Sequence, residues 1–161
     1  MKRHASLHPL STHHHHALVQ ALEIRRAAEQ SAAKRSAALR AAAAKFLRFW
    51  EKTGRQHFRE EEEVLLPAFA RHAAIAEDAD VVRMLADHAE IRALIQEISA
   101  ALESGAPVEE KVTALGRRLY AHVRLEEDRV FPRIEKALSE DEMRALGKHL
   151  TPLHPKRGCA I

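Results

Sequence analysis

The sequence has little of what β folds, disulfides and membrane spans require. Only five glycines and six prolines occur among 161 residues, while alanine, leucine, glutamate and arginine are abundant, which favours long helices. The single cysteine, Cys159, excludes an internal disulfide. No window approaches about 18 uninterrupted apolar residues, and the N-terminus leads into a polar, histidine-rich stretch. We therefore expect one all-α domain in the cytoplasm, with no membrane association.

Charge of one sign is not concentrated in any segment. The formal net charge is +3, but basic and acidic residues are interleaved along the chain, which is typical of a solvated helix surface. Aromatic residues make up only 4% of the sequence, and no nucleic-acid-binding signature is visible. We therefore expect no nucleic-acid partner.

Apolar residues at helical spacing predict four long helices and a short fifth one. The second helix has a weak point at Gly54, and Pro132 should bend or interrupt the last turns of the fourth. The predicted bounds are 11–29, about 34–66, Asp78 or Asp80 to about 104, about 107–138, and about 139–150 with a capping box of Ser139 and Glu142. Short connections between long helices favour an up-down-up-down four-helix bundle with a short extra C-terminal helix. Metal sites in such bundles are built from side chains that point inward.

Two segments, 57–67 and 122–132, carry the same pattern. Both read His-x-Arg-x-Glu-Glu-x-x-x-apolar-Pro, which indicates an internal repeat of half a bundle. A spacing of four residues places two side chains on one helix face, about 6 Å apart along the axis. The repeat therefore predicts two pairs that each present an imidazole and a carboxylate to a common point: His57 with Glu61, and His122 with Glu126.

The glutamates that follow these pairs, Glu62 and Glu127, lie off the ligand face and should stand behind the ligands or on the surface. One His-x-x-x-Glu alone is a weak signal, whereas two copies in register are much stronger. Buried ionisable groups are costly unless they are paired or bound to metal, and converging imidazoles and carboxylates match the ligand preferences of Fe, Mn and Zn.

The other two helices should then supply matching histidines. His88 lies among apolar residues at helical spacing, which places it on the buried face of the third helix. His88 is followed three residues later by Ile91, which gives the pattern His-x-x-apolar. His15 and Leu18 in the first helix have the same pattern, so we take His15 as the counterpart of His88. Adjacent helical residues cannot all face one site. We therefore expect its neighbours to be exposed: His13, His14 and His16.

Over roughly residues 10–137, these features resemble the hemerythrin-like family, also called the His-His-Glu cation-binding domain. The resemblance divides the chain into an N-terminal extension (1–9), a hemerythrin-like domain (10–150) and a basic tail (151–161). It implies two non-haem iron ions, bridged by an oxo or hydroxo group and by carboxylates, with Mn or Zn as alternative metals. The implied terminal ligands are His15, His57, His88 and His122, and the implied bridging carboxylates are Glu61 and Glu126.

Two features differ from the oxygen-carrying hemerythrins. Those proteins have a second histidine one turn away in the third helix, where this chain offers Met84 or Arg92. Their fourth helix has His-x-x-x-x-Asp, where this chain has Glu126 four residues after His122. With four histidines in place of five, the metal site should keep more open or water-filled positions. Simple reversible oxygen carriage is therefore not expected.

The resemblance and the predicted site favour a protein that binds or senses O2, NO or peroxide, or that handles iron. Its expected partner is thus a small diatomic ligand or peroxide. Three alternatives remain open: a di-iron oxidase or peroxidase-like enzyme, an iron donor of the iron-sulfur-cluster repair type, and a bundle without metal. The sequence also leaves open whether the chain forms a homodimer.

Overall fold

The computed structural model describes residues 3–150, and the expectation of an all-α fold is confirmed, with no β-strand in that range. The predictions for the basic tail, including Cys159, lie outside the described residues. The α-helices are α1 (His8–Ala28), α2 (Ala32–Phe49), α3 (Arg55–Glu60), α4 (Leu66–Phe69), α5 (Ala79–Ser104), α6 (Glu109–Leu125), α7 (Phe131–Ala137) and α8 (Glu140–Gly147). Short 3-10 turns occur at Ala5–Leu7 and Ile75–Glu77, and π-helical turns at Trp50–Gly54, Glu61–Leu65 and Glu126–Val130.

These segments form four long helical rods and one short helix. The first rod is α1, the second runs through α2, α3 and α4, the third is α5, and the fourth runs through α6 and α7. The first rod packs on α2 and α6, while α5 packs on α6 and α2. The short helix α8 packs against the turn that precedes α1. The result is the predicted helical bundle with a short extra C-terminal helix. Among residues 3–150, no helix is both long and apolar enough to cross a membrane.

Several helix ends were correctly predicted from local residue chemistry. The Asp78 side chain accepts hydrogen bonds from the first backbone N–H groups of α5, and Gly105 ends this helix at a φ of 75°, a left-handed conformation that favours glycine. Ser139 and Glu142 form the predicted capping box of α8. The start of α1 was predicted three residues too late, because Pro9 fits the first turn of a helix and allows α1 to begin at His8.

The second and fourth rods continue through their prolines because a wider turn precedes each one. Proline lacks an N–H, and in a regular α-helix its ring clashes with the carbonyl four residues earlier. Here the N–H of Leu66 bonds to the Glu61 carbonyl, and the N–H of Phe131 bonds to the Glu126 carbonyl, each spanning five residues. The π-helical turns therefore carry the rods past Pro67 and Pro132. The expected break near Pro132 is a local widening of the helix.

Two apolar clusters fill the bundle, one toward each end. The first lies among α1, α2, α5 and α6, and the second joins the start of α1 and α5 to α7 and α8. Along α1, Leu10 belongs to the second cluster and Ala17 to the first. Along α5, Met84 belongs to the second and Ile91 to the first. His14 on α1 and His88 on α5 lie between the residues that belong to the two clusters, so apolar side chains exclude water from both sides.

Helices α1 and α6 approach each other closely at Gly116. A Cβ atom at this position would lie 2.6 Å from Cγ2 of Ile24, whose side chain is only 1% exposed. We predict that Gly116→Val lowers the free energy of unfolding by about 1–3 kcal/mol, because the added side chain must push the two helices apart. Urea denaturation of the metal-free protein measures this loss.

The matched control is Ala121→Val, which adds the same side chain at an exposed position of α6. This variant should unfold near the wild-type urea concentration. Equal midpoints for the two variants would show that contact between Gly116 and Ile24 does not limit stability.

Candidate metal centre

The interior of the bundle contains two overlapping groups of buried histidines and glutamates. In each group, one ligand atom per residue lies within 4.8 Å of all the others. Glu61 and Glu126 belong to both groups. The first group adds His14 and His57, and the second adds His88 and His122. The arrangement thus provides two neighbouring positions that share two carboxylates.

Contacts within the rods follow the predicted four-residue spacing. His57 Nε2 lies 3.2 Å from Glu61 Oε1, and His122 Nε2 lies 3.1 Å from Glu126 Oε1. In each case the histidine lies on an α-helix, and the glutamate is the first residue of a π-helical turn. Such wide turns are frequent at functional sites. The repeat therefore places two equivalent imidazole and carboxylate pairs opposite each other.

Contacts between rods complete the two groups. His14 Nε2 on α1 lies 3.0 Å from Glu126 Oε2, and His88 Nε2 on α5 lies 3.3 Å from Glu61 Oε2. Each glutamate thus faces one histidine of its own rod and the histidines of two other rods. This is the arrangement expected of carboxylates that bridge two ions.

Many of these ligand atoms are buried without a hydrogen-bond partner. They include both carboxylate oxygens of Glu61 and Glu126 and the Nε2 atoms of His14, His88 and His122. Burying such groups costs several kcal/mol unless something compensates for the lost hydration. A cation at each position would satisfy these atoms, and imidazole with carboxylate is a donor set suited to Fe, Mn or Zn. The residues present therefore fit two divalent cations.

Burial and close charges shift the pKa values of the site in opposite directions. Burial lowers the pKa of His57 to about 3 and also lowers that of His122. For His88 burial again acts downward, but the close negative charges of Glu126, Glu61 and Glu62 outweigh it and raise the pKa to about 11. The carboxylates also raise the pKa of His14. Protons and cations thus compete for the same nitrogens.

The structure corrects the placement of the first-helix ligand. His15 is exposed on the outside of α1, and its ring contacts the ring of His16, with centroids 5.7 Å apart. The adjacent His14 is 1% exposed and lies in the cluster. The buried face of α1 runs through Leu10, His14 and Ala17. The His-x-x-apolar pattern would have identified His14 if Ala17, and not Leu18, had been taken as its apolar residue.

The other five predicted site residues are brought together as expected: His57, Glu61, His88, His122 and Glu126. His16 is exposed as predicted. His13, also expected to be exposed, is only 4% exposed. Two adjacent residues of α1, His13 and His14, thus both face the interior.

A carboxylate, an arginine and an aromatic ring hold His88 in place. His88 Nδ1 donates a hydrogen bond to Glu62 Oε1 at 2.7 Å, and Arg92 binds both oxygens of Glu62, at 2.7 and 3.0 Å. Phe58 stacks on the His88 ring with centroids 3.7 Å apart. With Nδ1 bound to a carboxylate, Nε2 is the atom that faces the cation position.

Residues from other rods hold His14 in the same way. His14 Nδ1 donates to Glu127 Oε1 at 2.7 Å, and Arg3 donates to Glu127 Oε2 at 2.8 Å. Phe131 stacks on the His14 ring with centroids 5.1 Å apart. Of the two placements left open for Glu62 and Glu127, the structure therefore supports the one behind the ligands.

The exchange of His15 for His14 generates a direct test. We predict that His14→Ala abolishes tight binding at one of the two cation positions, because it removes a ligand that no neighbour replaces. His15→Ala should bind Zn(II) as the wild type does, since its ring faces outward. Titration of the metal-free protein with Zn(II) by isothermal calorimetry measures both. A loss of zinc in His15→Ala with none in His14→Ala would restore the original assignment.

Comparison with known proteins agrees with this centre. The Hemerythrin HHE cation binding domain matches residues 8–134, a span that extends from α1 into α7 and contains all six clustered residues. No curated protein and no solved structure gives a significant match. The matched span covers most of the chain. The chain therefore belongs to the Hemerythrin HHE cation-binding domain family, and its buried histidines and glutamates fit the metal site that the family implies.

Proposed function

We propose that the chain holds two iron ions in the bundle interior and binds O2, NO or peroxide beside them. The observation that carries this proposal is the pair of histidine and glutamate groups that share Glu61 and Glu126. When bound, the iron pair would supply redox chemistry and an affinity for small oxidants and diatomic ligands. The protein supplies the positions, the charge balance and the exclusion of water.

The shared glutamates have a defined electrostatic task. Two divalent cations a few ångströms apart repel each other, and a carboxylate that contacts both reduces this repulsion. Glu61 and Glu126 are both 0% exposed, so no water screens them from the ions. Each position would then receive two imidazoles and two carboxylate oxygens. This number is smaller than the six ligands of an octahedral ion, so further ligands can bind.

A small cavity beside the site supports a small ligand. It has room for about one water-sized molecule, about 20 Å³, and is lined by His57 and His122 together with Trp50, Phe46 and Phe58. Trp50 is 5% exposed and contributes to this wall. The size of the cavity suits a diatomic molecule or peroxide better than an organic substrate.

The proposal predicts a defined metal content. After anaerobic reconstitution with Fe(II), we expect about two iron atoms per chain and a near-ultraviolet charge-transfer absorption on oxidation. The double variant Glu61→Ala/Glu126→Ala should lose both features, because each glutamate contacts both positions. Iron analysis together with absorption spectroscopy measures the outcome.

A matched control removes two acidic residues from the same turns. Glu63 and Asp128 are more than half exposed, at 57% and 51%, and pair with Arg59 and Arg124 on the surface. Glu63→Ala/Asp128→Ala should therefore keep two irons. Two irons in the Glu61→Ala/Glu126→Ala variant would rule out bridging by these carboxylates.

The cavity predicts that two substitutions in its wall differ in their effect on the rate of ligand binding. Ala17→Val narrows the cavity and should slow NO binding to the reduced protein about tenfold, which corresponds to about 1.4 kcal/mol of added barrier. Val123→Ala widens the same cavity and should not slow binding. Stopped-flow absorption measures both rates at equal iron content.

If the two variants bind NO at the same rate, the ligand enters elsewhere.

The same samples distinguish binding from catalysis. A ligand-binding protein shows one spectral change per iron pair, whereas a peroxidase-like enzyme consumes hydrogen peroxide repeatedly.

A further inference from the structure

The two cation positions are supported by nearly equivalent parts. His14 and His88 correspond to each other, because each donates through Nδ1 to a glutamate of the repeated segments, Glu127 and Glu62 respectively. His57 and His122 also correspond, because each begins a His-x-x-x-Glu pair. The groups behind this second pair of histidines are not equivalent.

A carboxylate stands behind His122. Asp87, which directly precedes His88 on α5, places Oδ2 3.9 Å from His122 Nδ1. The other oxygen, Oδ1, accepts hydrogen bonds from Arg83 at 2.6 Å and from Arg118 at 2.8 Å. These two arginines hold a carboxylate that is only 3% exposed. The Asp87 carboxylate thus lies beside the outer nitrogen of His122 but beyond hydrogen-bond distance, and the two arginines offset part of its negative charge.

An imidazole occupies the corresponding place behind His57. His13 directly precedes His14 on α1, as Asp87 precedes His88 on α5. Its Nδ1 lies 3.3 Å from the Nδ1 of His57, and its side chain is buried. An imidazole carries no negative charge in either protonation state. His13 therefore breaks the symmetry of the two positions.

We propose that His13 makes the two cation positions unequal, so that the His14–His57 position binds its ion more weakly than the His88–His122 position does. This inference rests on the proposed two-ion site. A carboxylate behind a metal-bound imidazole makes that imidazole a stronger donor, and removal of such a carboxylate typically weakens metal binding about 10–100-fold. His13 is thus a positioning residue that acts through His57.

The order of filling follows from this difference. The first ion enters between His88 and His122, where both histidines have carboxylates behind them, Glu62 and Asp87. The second ion enters between His14 and His57, where His14 has Glu127 behind it and His57 meets the His13 imidazole. The shared glutamates contribute to both positions and do not distinguish them. The second ion is therefore the one that exchanges first when metal is scarce.

Two substitutions of the same shape test this proposal at position 13. The metal-free full chain is titrated with Zn(II) for affinities and with Co(II) for spectra, and two stepwise dissociation constants are fitted. His13→Asp should tighten the weaker constant about 10–100-fold, because it restores a carboxylate behind His57. His13→Asn, which has nearly the same size but no charge, should not tighten it. The proton resonances of Co(II)-bound imidazoles identify His57 as the ligand that changes.

Two further variants complete the design. Asp87→His places an imidazole behind His122 and should weaken the tighter constant about 10–100-fold, which brings the two constants together. His16→Asp adds a negative charge at an exposed position of α1 and should leave both constants unchanged. If His13→Asp does not fold, as judged by circular dichroism, the result of Asp87→His decides.

The outcomes separate this inference from the proposed function. A wild-type chain that binds only one ion contradicts the two-iron proposal itself. A chain that binds two ions with equal constants overturns the role of His13, and so do equal effects of Asp and Asn at position 13. Loss of one ion in His13→Asn also overturns it, since His13 would then be a direct ligand.

Discussion

Two fully buried carboxylates, Glu61 and Glu126, impose the constraint on which the rest of the structure depends. A buried negative charge without compensation costs several kcal/mol, a large part of the net stability of an ordinary domain. The bundle surrounds these charges with imidazoles from all four rods and seals them with an apolar cluster on each side. The site and the core therefore stabilise each other. The core excludes water, and the histidines make the excluded charges tolerable.

The wide turns of the second and fourth rods connect this constraint to the backbone. Each turn begins at the buried glutamate and ends just before the rod passes its proline. A proline inside a regular α-helix would kink or break it, whereas the π-helical turn before each proline carries the rod onward. The same local feature thus shapes the backbone at the glutamate and continues the rod into the second apolar cluster. Pro67 and Pro132 thus lie just beyond the wide turns that begin at the two glutamates.

Sequence reasoning recovered the parts of this site that depend on spacing within one helix. His57 with Glu61, and His122 with Glu126, follow from a four-residue repeat, and helical periodicity identified His88. The choice of His15 failed because four successive histidines differ only in helical phase, and an error of one residue rotates a side chain by about 100°. The start of α1 was also predicted wrongly, so the helix start did not show which of the four histidines faces the interior.

Contacts between rods could not be read from the sequence in the same way. Arg3 binding to Glu127, and His13 meeting His57, join residues that are distant in the chain. Their positions depend on how the helices are rotated against each other, which the packing of many side chains determines together. The adjacency of Glu62 to Glu61 indicated a group off the ligand face. It did not indicate which histidine Glu62 would hold.

The support of His14 and His88 shows that equivalent geometry does not need equivalent residues. Phe58 and Phe131 occupy different places in the two repeated segments, one directly after a histidine and one five residues after a glutamate, yet both stack on a corresponding imidazole. Aromatic rings from non-equivalent positions therefore stack on the two corresponding imidazoles. At position 13 no such replacement occurred, and a histidine remains where symmetry calls for a carboxylate. Behind His57 and His122 the two halves therefore differ in chemistry, whereas behind His14 and His88 they differ only in which residues supply the same chemistry.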